Sequence, residues 1–444
     1  MTDERGHNTS YLYDHAGNVT KVTDALDNTV TYTYDGNGNI LSMTDEEGIV
    51  TEYSYDSGDR LLSITREEES ISFAYDELGR LISVEDSCGH TETADYDGED
   101  RLTAYEDKEN NRTTYTYDSA GRITAETAPN GAITKYTYDK NGNCLAVEDA
   151  LGHKTTYEYD ANNRLTKVTD AAENCVTYDY DARGMLTTVT DANNGTTVYE
   201  YDGNGNLVKE TDPAGGTKQY TYDRLNRIIR ITDEEGHVSA CEYDASGNMT
   251  KYIDANGNSW TYTYDAMDRM TTAADKDGAG ITMEYTASGR LSSVTDQEGA
   301  RTDYTYDRRG RLTKLSDASG SSLTYTYDAM GRVLTQTDAL GNTTTCAYSP
   351  NGSLTKLTMA EGETVEYTYN ALGQVETMCD TLGNLTTYTH DALGQVTGIT
   401  DAIGNTTAFT YTADGRIATV TDALGNTTAY EYDGNGNLMS VTDA

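Results

Sequence analysis

The sequence is poor in proline, phenylalanine, tryptophan and positive charge, and it contains no long apolar run. Three prolines among 444 residues leave no Pro-rich linker, and no Gly/Ser-rich stretch interrupts the chain, so no boundary between domains is visible. Without a run of 18 apolar residues, no membrane-spanning helix is expected. The opening Met1-Thr2-Asp3-Glu4-Arg5 lacks the apolar stretch of a secretory signal. Against 74 Asp and Glu stand only 32 Lys and Arg, a net charge of −42. That field repels nucleic acid and anionic membrane surfaces and favours solubility. The six cysteines form no Cys-x-x-Cys pair. Cys144, Cys241 and Cys346 stand in columns otherwise filled by aliphatic, Tyr or other apolar residues, so they read as small core hydrophobes rather than disulfide partners. Two Phe and one Trp against 37 Tyr argue against a dry core. Tyrosine supplies bulk and β-propensity but keeps a hydroxyl that needs a partner. A surface half-buried, or wet on one side, is the expectation.

What the chain has instead is a 21-residue repeat. Its anchor, Tyr-Asp followed by two free positions and a glycine, begins at Tyr13-Asp14 and returns at Tyr34-Asp35 and Tyr55-Asp56. One residue is missing before Tyr75-Asp76, and from there the register runs unbroken to Asp433, making 21 copies. A fixed period of this length marks a solenoid, spiral or shell whose units bury apolar surface only against their neighbours. The expectation is one array over residues 1–444, cut at both ends from something longer.

The repeat columns have physical meaning. The third residue after the anchor Asp is Gly in 16 of 21 copies and otherwise Asp59, Asp100, Asn163, Asn226 or Asp268; all three residue types tolerate positive φ. Where the Asp is replaced, Thr286, Ser349, Asn370 or Thr412 still offers a side-chain oxygen to the turn backbone. Ten residues on, a second Asp recurs in 18 of 21 copies, again three residues ahead of a glycine in most. Each repeat therefore reads as strand, turn, strand, turn. In Val30-Thr31-Tyr32-Thr33-Tyr34 the large residues alternate with threonine and share one face. The strand after the Tyr-Asp turn carries apolar residues three apart, such as Val19 and Val22, which have opposite parity. Either a bulge lies between them or that strand is apolar on both faces. The fold class is all-β: about 42 strands in a continuous antiparallel meander, which natural twist should coil into a spiral, shell or tube. At strand lengths of six to seven residues the ribbon would be roughly 200 Å long and about 22 Å wide. Closed into a sphere, that area has room for a passenger of only about 10 kDa by the same dimensions.

Tyr115-Thr116-Tyr117-Asp118-Ser119-Ala120-Gly121-Arg122-Ile123 and Tyr325-Thr326-Tyr327-Asp328-Ala329-Met330-Gly331-Arg332-Val333 resemble the YD-repeat, or Rhs, family. That family includes bacterial Rhs polymorphic toxins, the B and C components of Tc toxin complexes, wall-associated toxins and teneurins. The resemblance implies a β-strip spiralling into a hollow cocoon that, in the toxins, holds a toxic C-terminal domain. It also implies secretion or cell-surface display. The family's self-cleaving Asp-Pro-x-Gly-Leu type motif is absent from the C-terminal residues. Asp212-Pro213-Ala214-Gly215-Gly216 looks similar but falls in register as an ordinary second turn.

No catalytic, cofactor-binding or metal-ligating residue is expected. Acidic residues occupy every turn row, so paired carboxylates mark no site. His90, His153 and His237 share one turn column in distant repeats and read as polar turn residues rather than ligands. The Asp/Asn/Gly turns match neither an EF-hand nor the Gly-Gly-x-Gly-x-Asp nonapeptide, so no calcium site is assigned. Arg80, Arg122, Arg290, Arg311 and Arg332 follow the first-turn glycine and are expected to form charge ladders to the Asp rows of neighbouring hairpins. The expected function is a non-enzymatic scaffold, the shell segment of a larger polypeptide whose cargo or toxin domain is its partner. An extracellular adhesion rod, binding glycan or a cell-surface protein through exposed Tyr and Asp/Asn rows, is the alternative. Neither reading involves nucleic acid or membrane insertion.

Overall fold

A computed structural model of the chain describes residues 1–3, 5–67 and 69–444. These residues form 42 strands of one sheet and no helix. Contacts divide the chain into two compact units, each assembled from separate stretches. The first comprises Met1–Glu92, Thr221–Cys346 and Met359–Glu361; the second comprises Thr93–Tyr220, Ala347–Thr358 and Gly362–Ala444.

Both units are built from the same hairpin. A six-residue strand such as Thr29–Tyr34 runs through the Tyr-Asp turn into a five-residue strand such as Ile40–Thr44. Their pairing is antiparallel, with Tyr32 opposite Met43, Thr33 opposite Ser42 and Tyr34 opposite Ile40. Leu41 has no partner in that register, so a β-bulge stands beside the turn. The bulge answers the parity question: the extra residue returns Ile40 and Met43 to the face that carries Tyr32 and Tyr34. In the second unit Tyr136 opposes Val147, Tyr138 opposes Cys144, and Leu145 is the extra residue. Leu41 and Leu145 are 41% and 39% exposed. The strands run mostly five and six residues rather than six to seven, which narrows the ribbon to roughly 19 Å.

The missing residue of the repeat lies at a second turn. Arg66 pairs directly with Glu69, Glu67 takes φ 54°, and the flanking strands lengthen to Leu61–Arg66 and Glu69–Tyr75.

No dry core forms. In Thr29–Tyr34, Thr31 and Thr33 are exposed while Val30, Tyr32 and Tyr34 are half-buried. Among the described residues, the fully buried apolar side chains are Ile49, Ala104 and Ala146. The accessible surface of 25016 Å² compares with roughly 16,600 Å² for a compact protein of this mass. A sheet one layer thick leaves its side chains half in water. Cys144, Cys241 and Cys346 are likewise half-buried, and all six cysteines are free thiols.

Candidate functional surface: turn rows, tyrosine face and ribbon edges

Most turns are closed by one Asp. At Asp118 the backbone N–H donates to the Arg122 carbonyl at 2.9 Å, and the Gly121 N–H returns to the Asp118 carbonyl at 3.0 Å. Asp118 Oδ1 accepts from the Ala120 and Arg122 amides at 2.8 and 3.0 Å. The second turns repeat this: Asp338 Oδ1 accepts from Leu340 and Asn342, both at 2.9 Å. Asp212 binds the Ala214 and Gly216 amides at 2.8 Å, so the Asp-Pro segment has the same turn geometry as its neighbours. Positive φ falls where the repeat requires it, at Gly331 (80°) and also at Asp59, Asp100, Asn163, Asn226 and Asp268 (59–62°). These bonds favour the ionised acid. The Asn18 side chain and amide hold the Asp14 carboxyl below the ordinary carboxylate range, as Arg122 does for Asp118 and Asn342 for Asp338.

Where the residue four beyond the Asp is Arg, Asn or His, its side chain completes the cap, which revises the expected role of arginine. Arg122 pairs with Asp118 of its own turn at 2.6 Å, as Arg311 does with Asp307 at 2.7 Å and Arg332 with Asp328 at 2.6 Å. The link to the next hairpin is made by other contacts. Arg122 Nη1 donates to the Asp139 carbonyl at 2.7 Å, and its guanidinium lies 4.7 Å from the Tyr138 ring centroid, a cation–π contact. Arg311 repeats the arrangement over Tyr327 at 4.8 Å. The short reach of a guanidinium to the acid four residues away outcompetes a more distant acidic row.

Tyrosine is needed for its oxygen. Tyr34 Oη donates to the Val19 carbonyl at 2.7 Å, Tyr138 Oη to Ile123 at 2.9 Å, and Tyr201 Oη to Leu186 at 2.8 Å. The acceptor opens the bulged strand of the preceding repeat, where the ladder is interrupted. Phenylalanine would leave that carbonyl without this donor. Burial of these rings pushes the hydroxyls of Tyr34, Tyr201 and Tyr369 above their ordinary range. The tyrosine face is therefore half-buried and internally bonded, apart from Tyr11 and Tyr13 of the first repeat, which are exposed.

Within each unit the ribbon passes alongside itself, 240 to 263 residues later in the chain. The contacts come largely from the two free positions of Asp-x-x-Gly. In the first unit Glu47, of a second turn, accepts from Ser288 Oγ at 2.5 Å and pairs with Arg290 at 2.8 Å. Arg290 is available because Thr286 replaces its turn acid. Arg309 pairs with Glu69 at 2.5 Å and Glu67 at 3.6 Å. Arg5 donates to the Asp265 carbonyl at 2.8 Å and pairs with Asp268. In the second unit the donors are amides: Asn351 Nδ2 to Asp107 at 3.0 Å, Asn193 Nδ2 to Asp433 at 3.0 Å, and Asn130 Nδ2 to the Ala392 carbonyl at 3.4 Å.

Beside the first unit's edge contact lies an open, largely apolar cleft of ≈ 460 Å³, lined in part by Met43, Tyr53, Ile64, Ile71 and Met330. The histidines remain apart: His90, His153 and His237 each meet the Asp of their own turn, at 3.3, 3.0 and 3.2 Å. Two of these turns bring a third potential ligand close, as Asp86–Cys88–His90 and Asp233–Glu235–His237. The sequence signal for the first is Cys88, which stands in a turn while the other five cysteines lie in strands.

Known proteins share this pattern. The teneurin YD-shell family profile matches residues 1–131, 96–237, 168–281, 217–351 and 279–405, and the RHS repeat profile matches 390–427 and 411–444. Curated protein sequences yield no match. Among solved structures, the TcdB2-TccC3-Cdc42 crystal structure is similar at a TM-score of 0.74 with 14% identity, over 98% of this chain and 32% of that one. TcdB2-TccC3 is similar at 0.66 with 15% identity, over 99% and 32%. A Photorhabdus luminescens Tc holotoxin pore matches at 0.54 with 17% identity, over 99% and 26%. The chain thus spans about a third or less of these solved chains, and the likeness is one of fold.

Proposed function

Because the chain belongs to the teneurin YD-shell family and carries RHS repeats, we propose that it is a non-enzymatic stretch of shell wall in a secreted or surface-delivered polypeptide. In this reading residues 1–444 form a single array that encloses a C-terminal toxin or effector domain of the full-length protein. The observation that carries it is the one-layer ribbon whose edges meet about 240 residues apart. A sheet without a core of its own is stabilised by docking its edges, and a single-layer wall is suited to containment rather than catalysis. Turn acids such as Asp118 and Asp338 are engaged as caps and held ionised, which makes them poor general acids.

The test is protease protection of a small passenger, at most about 10 kDa on the strand-spacing dimensions, fused after Ala444. Survival of the passenger in the intact protein, and its digestion once the shell is opened by denaturant, supports containment. Digestion at the rate of the free passenger removes this reading. A binding rod has one observation in its favour: Leu382, Ile403 and Leu424, at the second turns of successive repeats in the second unit, are 84–88% exposed. Such a stripe fits a protein partner better than a glycan. Loss of partner capture on Ile403→Ser combined with Leu424→Ser, together with an unprotected passenger, would favour the rod.

A further inference from the structure

We propose that the turn Asp86–Ser87–Cys88–Gly89–His90 binds a borderline-soft divalent cation of the zinc class, through a carboxylate oxygen of Asp86, Cys88 Sγ and an imidazole nitrogen of His90. One ligand atom from each lies within 4.8 Å of the other two. Tetrahedral bonds of about 2.0–2.3 Å separate ligand atoms by roughly 3.3–3.8 Å, so side-chain rotation alone closes the remaining gap. The backbone is already arranged for this. Asp86 Oδ1 accepts from the Cys88 and His90 amides at 2.9 and 3.1 Å, which brings the side chains two and four residues on to one side of the turn. Asp86 is itself buried, at 8% exposure.

Cys88 and the chemistry it brings separate this turn from the other second turns. Cys88 is exposed, in a column occupied elsewhere by residues such as Leu151, Ala172, Asn193 and Ala214. A structural cysteine has no reason to stand there, since the other five fill strand positions. The donor set of sulfur, nitrogen and oxygen is selective: the thiolate favours zinc-class ions over calcium or magnesium. The Glu85 carboxylate lies on the Gly89 side of the turn, 3.9 Å from where a Gly89 Cβ would stand, and adds negative charge there; the fourth position is left to water. The Asp233–Glu235–His237 turn shares the geometry without sulfur and serves as the internal control.

Binding requires the thiol and imidazole nitrogen to be deprotonated, so affinity falls on acidification. The role is structural: a metal would clamp a turn that borders the apolar cleft, which Ser87 helps line.

The experiment is titration of the untagged 444-residue protein with Co²⁺ and, by competition with a chromophoric chelator, with Zn²⁺. Expected is one site with a thiolate-to-cobalt charge-transfer band in the near ultraviolet. Cys88→Ala abolishes the band, and His90→Asn weakens affinity by more than the roughly 10- to 100-fold that outer-shell changes cost. Both variants introduce residues found at the same column in other repeats, Ala172 and Asn174, so unchanged melting is the check on folding. His237→Asn leaves the band intact. Absence of the band, or an affinity that Cys88→Ala leaves unchanged, overturns the proposal.

Discussion

The two units use one hairpin but join their ribbon edges with different chemistry. In the first, charge meets charge: Arg309 with Glu69 and Glu67, Arg290 with Glu47, Arg5 with Asp244 and Asp268. In the second, Asn193, Asn351 and Asn130 do the same work as neutral donors. The donors sit at the two free positions between turn Asp and Gly, or just beyond them. The regular columns of the repeat build the hairpin, and the variable columns decide how one edge recognises the next.

The largest expected effect ignores the difference between units. The turn carboxyls of Asp14, Asp118, Asp338 and Asp422 are held below their ordinary value, so near their titration range the folded chain binds fewer protons than the unfolded one. The stability they contribute is present above about pH 4 and is lost as pH falls through and below it. Both units should lose amide protection together on acidification. Early loss in only one unit would mean that edges, not turns, set the acid limit.

Next in size is Gly331→Val in the first unit, with Gly121→Val as its counterpart in the second. A Cβ at either site meets nothing closer than 3.8 Å, so the cost is the positive φ, about 2–3 kcal/mol. Hydrogen exchange should report similar local opening in both; unequal losses would contradict turn equivalence. Arg309→Ala should then cost about 2 kcal/mol, because Arg309 is only 10% exposed and its removal leaves Glu69 and Glu67 only the longer 3.9 Å pairs with Arg311 and Arg308. Asn193→Ala should cost about 1 kcal/mol. Calorimetric values in the reverse order would refute the assignment of the stronger edge to the first unit. Smallest is salt: raising ionic strength to 1 M shortens the screening length to about 3 Å. The Arg309→Ala difference should shrink and the Asn193→Ala difference should stay, by under ~1 kcal/mol either way; equal salt responses would show that the ionic edge gains little from charge.

Much of the hairpin is legible before any coordinates. Residue type alone places Asp59, Asn163 and Asp268 at positive φ, and the alternation of Val30, Tyr32 and Tyr34 marks the buried face, because both signals are local. The bulge at Leu41 is visible only as a parity conflict. Two partners are misplaced or unplaced by sequence: Arg122 bonds its own Asp118 rather than a neighbouring row, and the Tyr138 hydroxyl ends on the Ile123 carbonyl, fifteen residues back. The first is settled by reach within one turn; the second depends on strand register, which sequence alone leaves open by one residue at every repeat. In the Asp86–Cys88–His90 turn Asp and His are ordinary in their columns, and Cys88 alone marks it in the sequence.

The sequence by itself determined the turns, the strand order and the half-buried tyrosine face. Each depends on interactions within about one repeat, where backbone conformation and side-chain chemistry leave few alternatives. Only the tertiary structure decided which edges meet. Glu47 and Ser288, or Asn193 and Asp433, are brought together by twist accumulated over the 240 or so residues between them. Small angular differences per strand, which no single residue encodes, add up to select the partner.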